Sequence, residues 1–172
     1  MPSRLTQLLV LAATLVNSIL AGSSVNGMLV QRPAWQETGP LGWAAFSQHA
    51  DLAAGLVIYP MEAIAGTLLS IAVVVSFLRD RREPRSAALP IYGAALMTIM
   101  VLLVTAEAAP IMLSVPTLGN DAAALQQAMD GFQFWGNIRG AFHILAFVAN
   151  LWSLVLIMRS ASGSPALLRS KS

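Results

Sequence analysis

The sequence predicts an all-α fold, an integral membrane four-helix bundle with both termini cytoplasmic, on three observations. Only 10% of the 172 residues are charged, where a soluble domain carries about 25%. Mean hydropathy is +0.68, which leaves too little polar surface to clothe a soluble body of this size. The apolar residues also fall in four blocks, each near the roughly 20 residues a helix needs to cross the hydrocarbon of a bilayer.

The four spans cover about 5–30, 52–78, 87–109 and 138–158. They lack the ten-residue alternation of membrane barrel strands. Together they make one domain, 1–160, with "ASGSPALLRSKS" (161–172) read as a flexible cytoplasmic tail. The first span has a basic start at Arg4 and small residues at Ala21-Gly22-Ser23, as a secretory signal would. Its apolar character resumes through Val25, Met28, Leu29 and Val30, beyond the length of a signal core, so a retained helix is expected.

Basic residues orient the bundle. Arg79, Arg81, Arg82 and Arg85 crowd the link between the second and third spans, Arg159, Arg169 and Lys171 follow the fourth, and Arg4 precedes the first. The positive-inside rule puts these in the cytoplasm and the longer loops, 31–51 and 110–137, outside. The expected location is the inner (plasma) membrane, with lipid as the first partner. In the first outer loop, Trp35 and Trp43 among Pro33, Gly39, Pro40 and Gly42 suggest turns and interfacial anchors. In the second, Gly119-Asn120-Asp121 makes a helix start, for either a surface helix or an early beginning of the last span.

Several function classes drop out. A net charge of +2 without a basic stripe gives no footprint for nucleic acid. The chain has no cysteine, hence no disulfide, thiolate ligand or cysteine nucleophile. Phosphate loops, metalloprotease helices and nucleophile elbows are missing as motifs. No metal site is expected, because neither His49 nor His143 has a second ligand at i+3 or i+4; the weaker alternative has the two histidines meeting near the outer face with Asp51 or Glu107.

Ionisable and amide side chains inside spans carry the remaining signal, since burying them in lipid is costly. On a helical wheel Asp51, Gly55, Tyr59, Glu62 and Gly66 fall within about 80°. Pro60 should kink that helix beside Glu62. Trp135, Arg139, His143, Ala146 and Asn150 share a similar arc on the fourth span. Each of these has a plainer reading. Arg139 suits an interfacial cation paired with Glu107 or Asp130, the asparagines suit interhelical glue, and the tryptophans suit the aromatic belt.

The layout resembles the anthrone oxygenase-like family of small four-helix membrane proteins, long carried as a domain of unknown function. The residues that carry the likeness are Pro110 at the outer end of the third span, the polar loop through Gln126-Gln127, and "FWGNIRG" with Trp135, Asn137 and Arg139. Ile111 and Met112 stand where the family pattern has an asparagine soon after the proline. The resemblance implies an oxygenase or related oxidoreductase that oxidises an anthrone-like phenolic ring with molecular oxygen, with no cofactor assigned. The catalytic candidates are His143 or Glu62 as base and Arg139 as enolate stabiliser. Tyr59, Trp135, Asp51, Asn150 and Asn137 are candidates for holding the hydrophobic aromatic molecule. The rivals are a non-catalytic membrane subunit and a proton-coupled transporter component built around Glu62. A transporter of four helices would need a homo-oligomer to form a pathway.

Overall fold

The computed structural model of the protein describes residues 3–80 and 84–162. Arg81, Arg82, Arg169 and Lys171, used in the charge argument, and the tail from 163 onward lie outside the described residues, as do the side chains of 161 and 162. Every regular element among the described residues is helical: α1 (Arg4–Asn26), a π turn (Gly27–Gln31), α2 (Arg32–His49), α3 (Gly55–Arg79), α4 (Ala88–Ser114) and α5 (Ala122–Ser162). Four helical runs are long and apolar enough to cross a membrane, Arg4–His49, Gly55–Arg79, Arg85–Leu118 and Ala122–Ser160.

Local chemistry fixes the ends. The Ser3 hydroxyl accepts from the Thr6 backbone N–H at 3.0 Å and caps α1. Asp121 Oδ1 accepts from the N–H groups of Ala123 and Ala124 at 3.0 and 3.1 Å, so α5 starts just after the Gly119-Asn120-Asp121 turn, well before residue 138. Gly119 takes φ 58°, a left-handed value that suits glycine, as the chain reverses from α4. Pro110 lies inside α4, which runs on to Ser114, followed by a short 3-10 turn, Val115–Leu118.

The region expected as an irregular outer loop, 31–51, is a helix instead. The chain passes from α1 through the π turn into α2 without leaving helical geometry, and breaks at Gly39 (φ 72°), directly before Pro40. The two tryptophans there are not interfacial anchors. Trp43 is fully buried and Trp35 nearly so, in a cluster with Met112, Val115, Leu125 and Met129. Burial of these large rings explains why the segment folds back rather than spreading over a surface: about 150–250 Å² of aromatic area per ring is withdrawn from solvent or headgroups.

Helix α1 packs on α3 and α5, and α4 packs on the same two, so the spans form a closed ring. At the end carrying the chain termini, the ring closes on Val10, Ala13, Val73, Ala87, Ile91 and Ile157. At the other end α2 lies over α5 and the end of α4 as a cap. The outward faces carry Leu8, Leu15, Ile19, Leu68, Leu89, Leu103, Leu145 and Leu151, all large apolar side chains exposed on the isolated chain. Such a girdle is suited to lipid contact.

Candidate functional site

Between the two clusters, toward the cap, the ring encloses a cavity of about 350 Å³, within the range of small-molecule sites. α1 contributes Leu20 and Ser24, and the π turn Gly27 and Gln31; Arg32 and Trp35 come from α2. Asp51 and the first turns of α3 (Gly55, Tyr59, Glu62) face them, with Val101, Ala108 and Met112 from α4 and Phe132, Gly136, Arg139 and His143 from α5. The wheel grouping of Asp51, Tyr59 and Glu62 thus meets Arg139 and His143 around one space. Asp51 does not sit on the helix as the wheel assumes, because α3 starts at Gly55. It reaches the site from the preceding turn, where Tyr59 Oη–H donates to its Oδ1 at 3.1 Å.

His143 is the most constrained polar group. It is 7% exposed, and Nδ1 lies 2.8 Å from Ser24 Oγ across the α1–α5 seam. A serine hydroxyl has one proton, and that of Ser24 is donated to the Leu20 carbonyl at 2.8 Å. Ser24 Oγ must therefore accept from His143, which places the imidazole proton on Nδ1. In the neutral ring Nε2 keeps its lone pair, and it is buried with no hydrogen-bond partner in the protein. Gly140 permits this approach. A Cβ there would run into the Met28 side chain and lie 3.4 Å from Ser24 Cβ.

Arg139 is placed differently from the interfacial-anchor reading. Its guanidinium stands over the Phe132 ring at 5.9 Å, in the cavity wall. Of its two expected acidic partners, Asp130 accepts from Gln126 Nε2 at 2.9 Å, and Glu107 is exposed and does not line the cavity. The ionisable groups close enough to act on Arg139 are Tyr59, Asp51 and Arg32. Burial pushes the Asp51 carboxyl up from its ordinary range, against opposition from the nearby Ser47 hydroxyl, the Tyr59 hydroxyl and the Arg139 charge. Its Oδ2 and Ser47 Oγ both remain without a partner at hydrogen-bonding distance and angle. Glu62 is half-buried and also lines a small apolar crevice between α1 and α3, with Val16, Ile19, Met61 and Ala65.

Three candidates lie elsewhere. Trp135 stacks edge-on against Phe134 at 5.2 Å, Asn137 is exposed, and Asn150 donates to the Ala146 carbonyl at 3.0 Å, deep toward the terminal end. None of the three lines the cavity. His49, weighed as a partner for His143, is exposed and bonds the Ala45 carbonyl at 2.8 Å. Among the described residues no three His, Asp or Glu side chains gather as metal ligands would. Sequence reasoning missed Arg32, Phe132, Gly136 and Ser24. The first lies in a presumed loop, and the α5 stripe facing the cavity is Phe132-Gly136-Arg139-His143, which shares Arg139 and His143 with the predicted stripe and turns away from its Trp135 edge. A spacing of four, three then four is legible there. No protein-family model, curated protein or solved structure matches the chain.

Proposed function

We propose that the protein is a multi-pass membrane oxidoreductase that binds a hydrophobic aromatic or phenolic molecule in this cavity and removes its acidic proton ahead of reaction with molecular oxygen. The observation that carries the reading is the unpartnered, lone-pair-bearing Nε2 of His143 in the wall of an amphipathic cavity beside Arg139. A base and a cation at one ring-sized space are what forming an enolate requires. The likeness of "FWGNIRG" to anthrone oxygenase-like proteins names the reaction type. For an anthrone, His143 takes a proton from the ring methylene, and Arg139 holds the enolate oxygen. Oxygen then adds at the ring carbon: one of its atoms becomes the new carbonyl and the other leaves as water with both methylene protons. Anthrone and O₂ thus give anthraquinone and water. Tyr59 and Phe132 offer flat faces for the ring.

The test is oxygen uptake and anthraquinone formation from anthrone by the detergent-purified protein and its His143→Ala variant. Turnover should fall at least about a hundredfold in the variant, the span of a lost general base, while the protein still inserts and melts as before. Undiminished turnover removes His143 from the chemistry. A visible spectrum and metal analysis of the same preparation would reveal a haem or metal and replace base-led oxygen chemistry with metal-led chemistry.

In this proposal the cap and cavity face the outside of the plasma membrane. Arg4, Arg79, Arg85 and Arg159 all lie at the terminal end of the bundle, as cytoplasmic ends do. A cysteine placed at Glu37 in this cysteine-free chain should react with a membrane-impermeant maleimide in intact cells. Labelling only after lysis would reverse the orientation.

A further inference from the structure

Arg32 is the cavity residue with the least local explanation. It begins α2 directly after the π turn, a rare geometry that recurs at functional sites. Its side chain crosses to α5, where Nη2 lies 3.1 Å from the position a Gly136 Cβ would take. Gly136 and Arg139 are three apart on α5 and share a face, so the two guanidiniums converge on the same wall. Arg139 has Asp51 as an acidic neighbour. Arg32 feels the charge of Arg139 and no carboxylate.

Two cations that cannot shed their protons therefore line one wall of the cavity, with Asp51 acting on Arg139. That costs free energy unless something negative meets them, and guanidiniums meet carboxylates through paired, coplanar hydrogen bonds. The rest of the space is apolar, walled by Leu20, Val101, Ala108 and Met112. At about 350 Å³ it suits a small ring system.

We propose that Arg32 and Arg139 form a paired-guanidinium clamp for a carboxylate, so the preferred ligand of this cavity is a small aromatic ring that carries an acid group. The clamp rests on the reading of the cavity as an aromatic-ligand site and narrows it. The ring would lie toward Tyr59 and His143, with its acid group drawn to the Arg32 side.

The experiment is a calorimetric titration of the detergent-purified full chain with 1-hydroxy-2-naphthoate and with its neutral isostere 1-hydroxy-2-naphthamide. The acid should bind about tenfold or more tightly than the amide, the value of a charge-assisted hydrogen bond. Arg32→Gln should bring the ratio of the two affinities close to one. Arg32→Lys, which keeps the charge and loses the fork, should leave an intermediate ratio. Thermal melting of both variants checks the fold, and the lysine variant serves alone if the glutamine variant fails to fold. Equal affinities for acid and amide in the unmodified protein, or an unchanged ratio in the variants, overturn the clamp while leaving an aromatic site in place. Binding of neither compound overturns the aromatic site and the clamp together. Displacement of the acid by phosphatidylglycerol, in an Arg32-dependent way, would assign the anion to a lipid headgroup and overturn the small-acid assignment.

Discussion

The two ends of the bundle bury different polar residues, amides and hydroxyls at one and ionisable groups at the other. Toward the terminal end, Thr14, Asn17, Asn150 and Ser153 each bond a carbonyl one turn back on their own helix, and the buried atoms left open there, Asn17 Oδ1 and Ser70 Oγ, are uncharged. Thr6 and Ser76 meet across α1 and α3 at 2.7 Å. The space between is filled by Val10, Ala13, Val73, Ile91 and Ile157. Toward the cap, Asp51 Oδ2 and His143 Nε2 are buried without partners, and two arginines share a wall. A side chain that satisfies itself on its own helix costs little in lipid and fixes nothing outside that helix. One that is buried and left open is stabilised by whatever enters, which is why open groups gathered at a cavity mark a site and closed ones mark packing.

The sharpest way to break this contrast is a substitution that damages the cap-end site through the seam that builds it. Gly140→Val puts two methyls where Met28 and Ser24 now press against α5. Overpacking of this kind costs roughly 1–3 kcal/mol. It should also separate Ser24 from His143 and abolish binding of the naphthoate probe. A variant that melts lower yet binds as before would show that the Ser24–His143 contact is not what shapes the site. Ile157→Ala is the matching change at the other end. Lipid tails are as apolar as this core, so only lost packing is felt there. The loss should be roughly 1–2 kcal/mol of stability, read by thermal melting in detergent, with probe affinity unaltered. Weakened binding in that variant would couple the two ends and undo the division between them.

How much of this was legible beforehand follows from which forces act locally. The spans could be read because the bilayer demands long apolar runs whatever the tertiary arrangement. The polar face of α3 could be read because a 3.6-residue period is a local property. Residues 31–51 were not read as helix, since Pro33, Gly39, Pro40 and Gly42 all argue locally for turns. The structure uses Pro33 within the first turn of α2, where its missing N–H does no harm, and concentrates the break at Gly39. Burial of Trp35 and Trp43 against α4 and α5 outweighs the remaining local preference, and such contacts are invisible one helix at a time. Arg32 was lost with that segment. The α5 stripe is offset by part of a face, keeping Arg139 and His143 and losing Trp135, for a related reason: wheel positions tell which residues share a face, and only packing tells which part of it turns inward.

The smallest expected effect concerns Asp51, where the two ends differ in how a buried polar group depends on pH. Its carboxyl is pushed up by burial, so the fold favours the protonated acid more than the unfolded chain does. The stabilisation linked to this group is present in full below the ordinary carboxylate value of about 4 and is lost as pH rises through the elevated folded value. At neutral pH the ionised form therefore weighs against the fold, relieved in part by Tyr59 and Arg139. Asp51→Asn keeps the acceptor for Tyr59 and removes the charge. It should raise the melting temperature slightly at pH 7, by the equivalent of less than about 1 kcal/mol, and flatten the decline in stability as pH rises above the ordinary carboxylate value of about 4. The same variant withdraws the acid beside Arg139, so the preference of the cavity for naphthoate over naphthamide should grow. A lower melting temperature at pH 7 would mean that the Asp51–Arg139 attraction outweighs the burial of the carboxylate. The cap end would then be held together by its charges, as the terminal end is by its methyl groups.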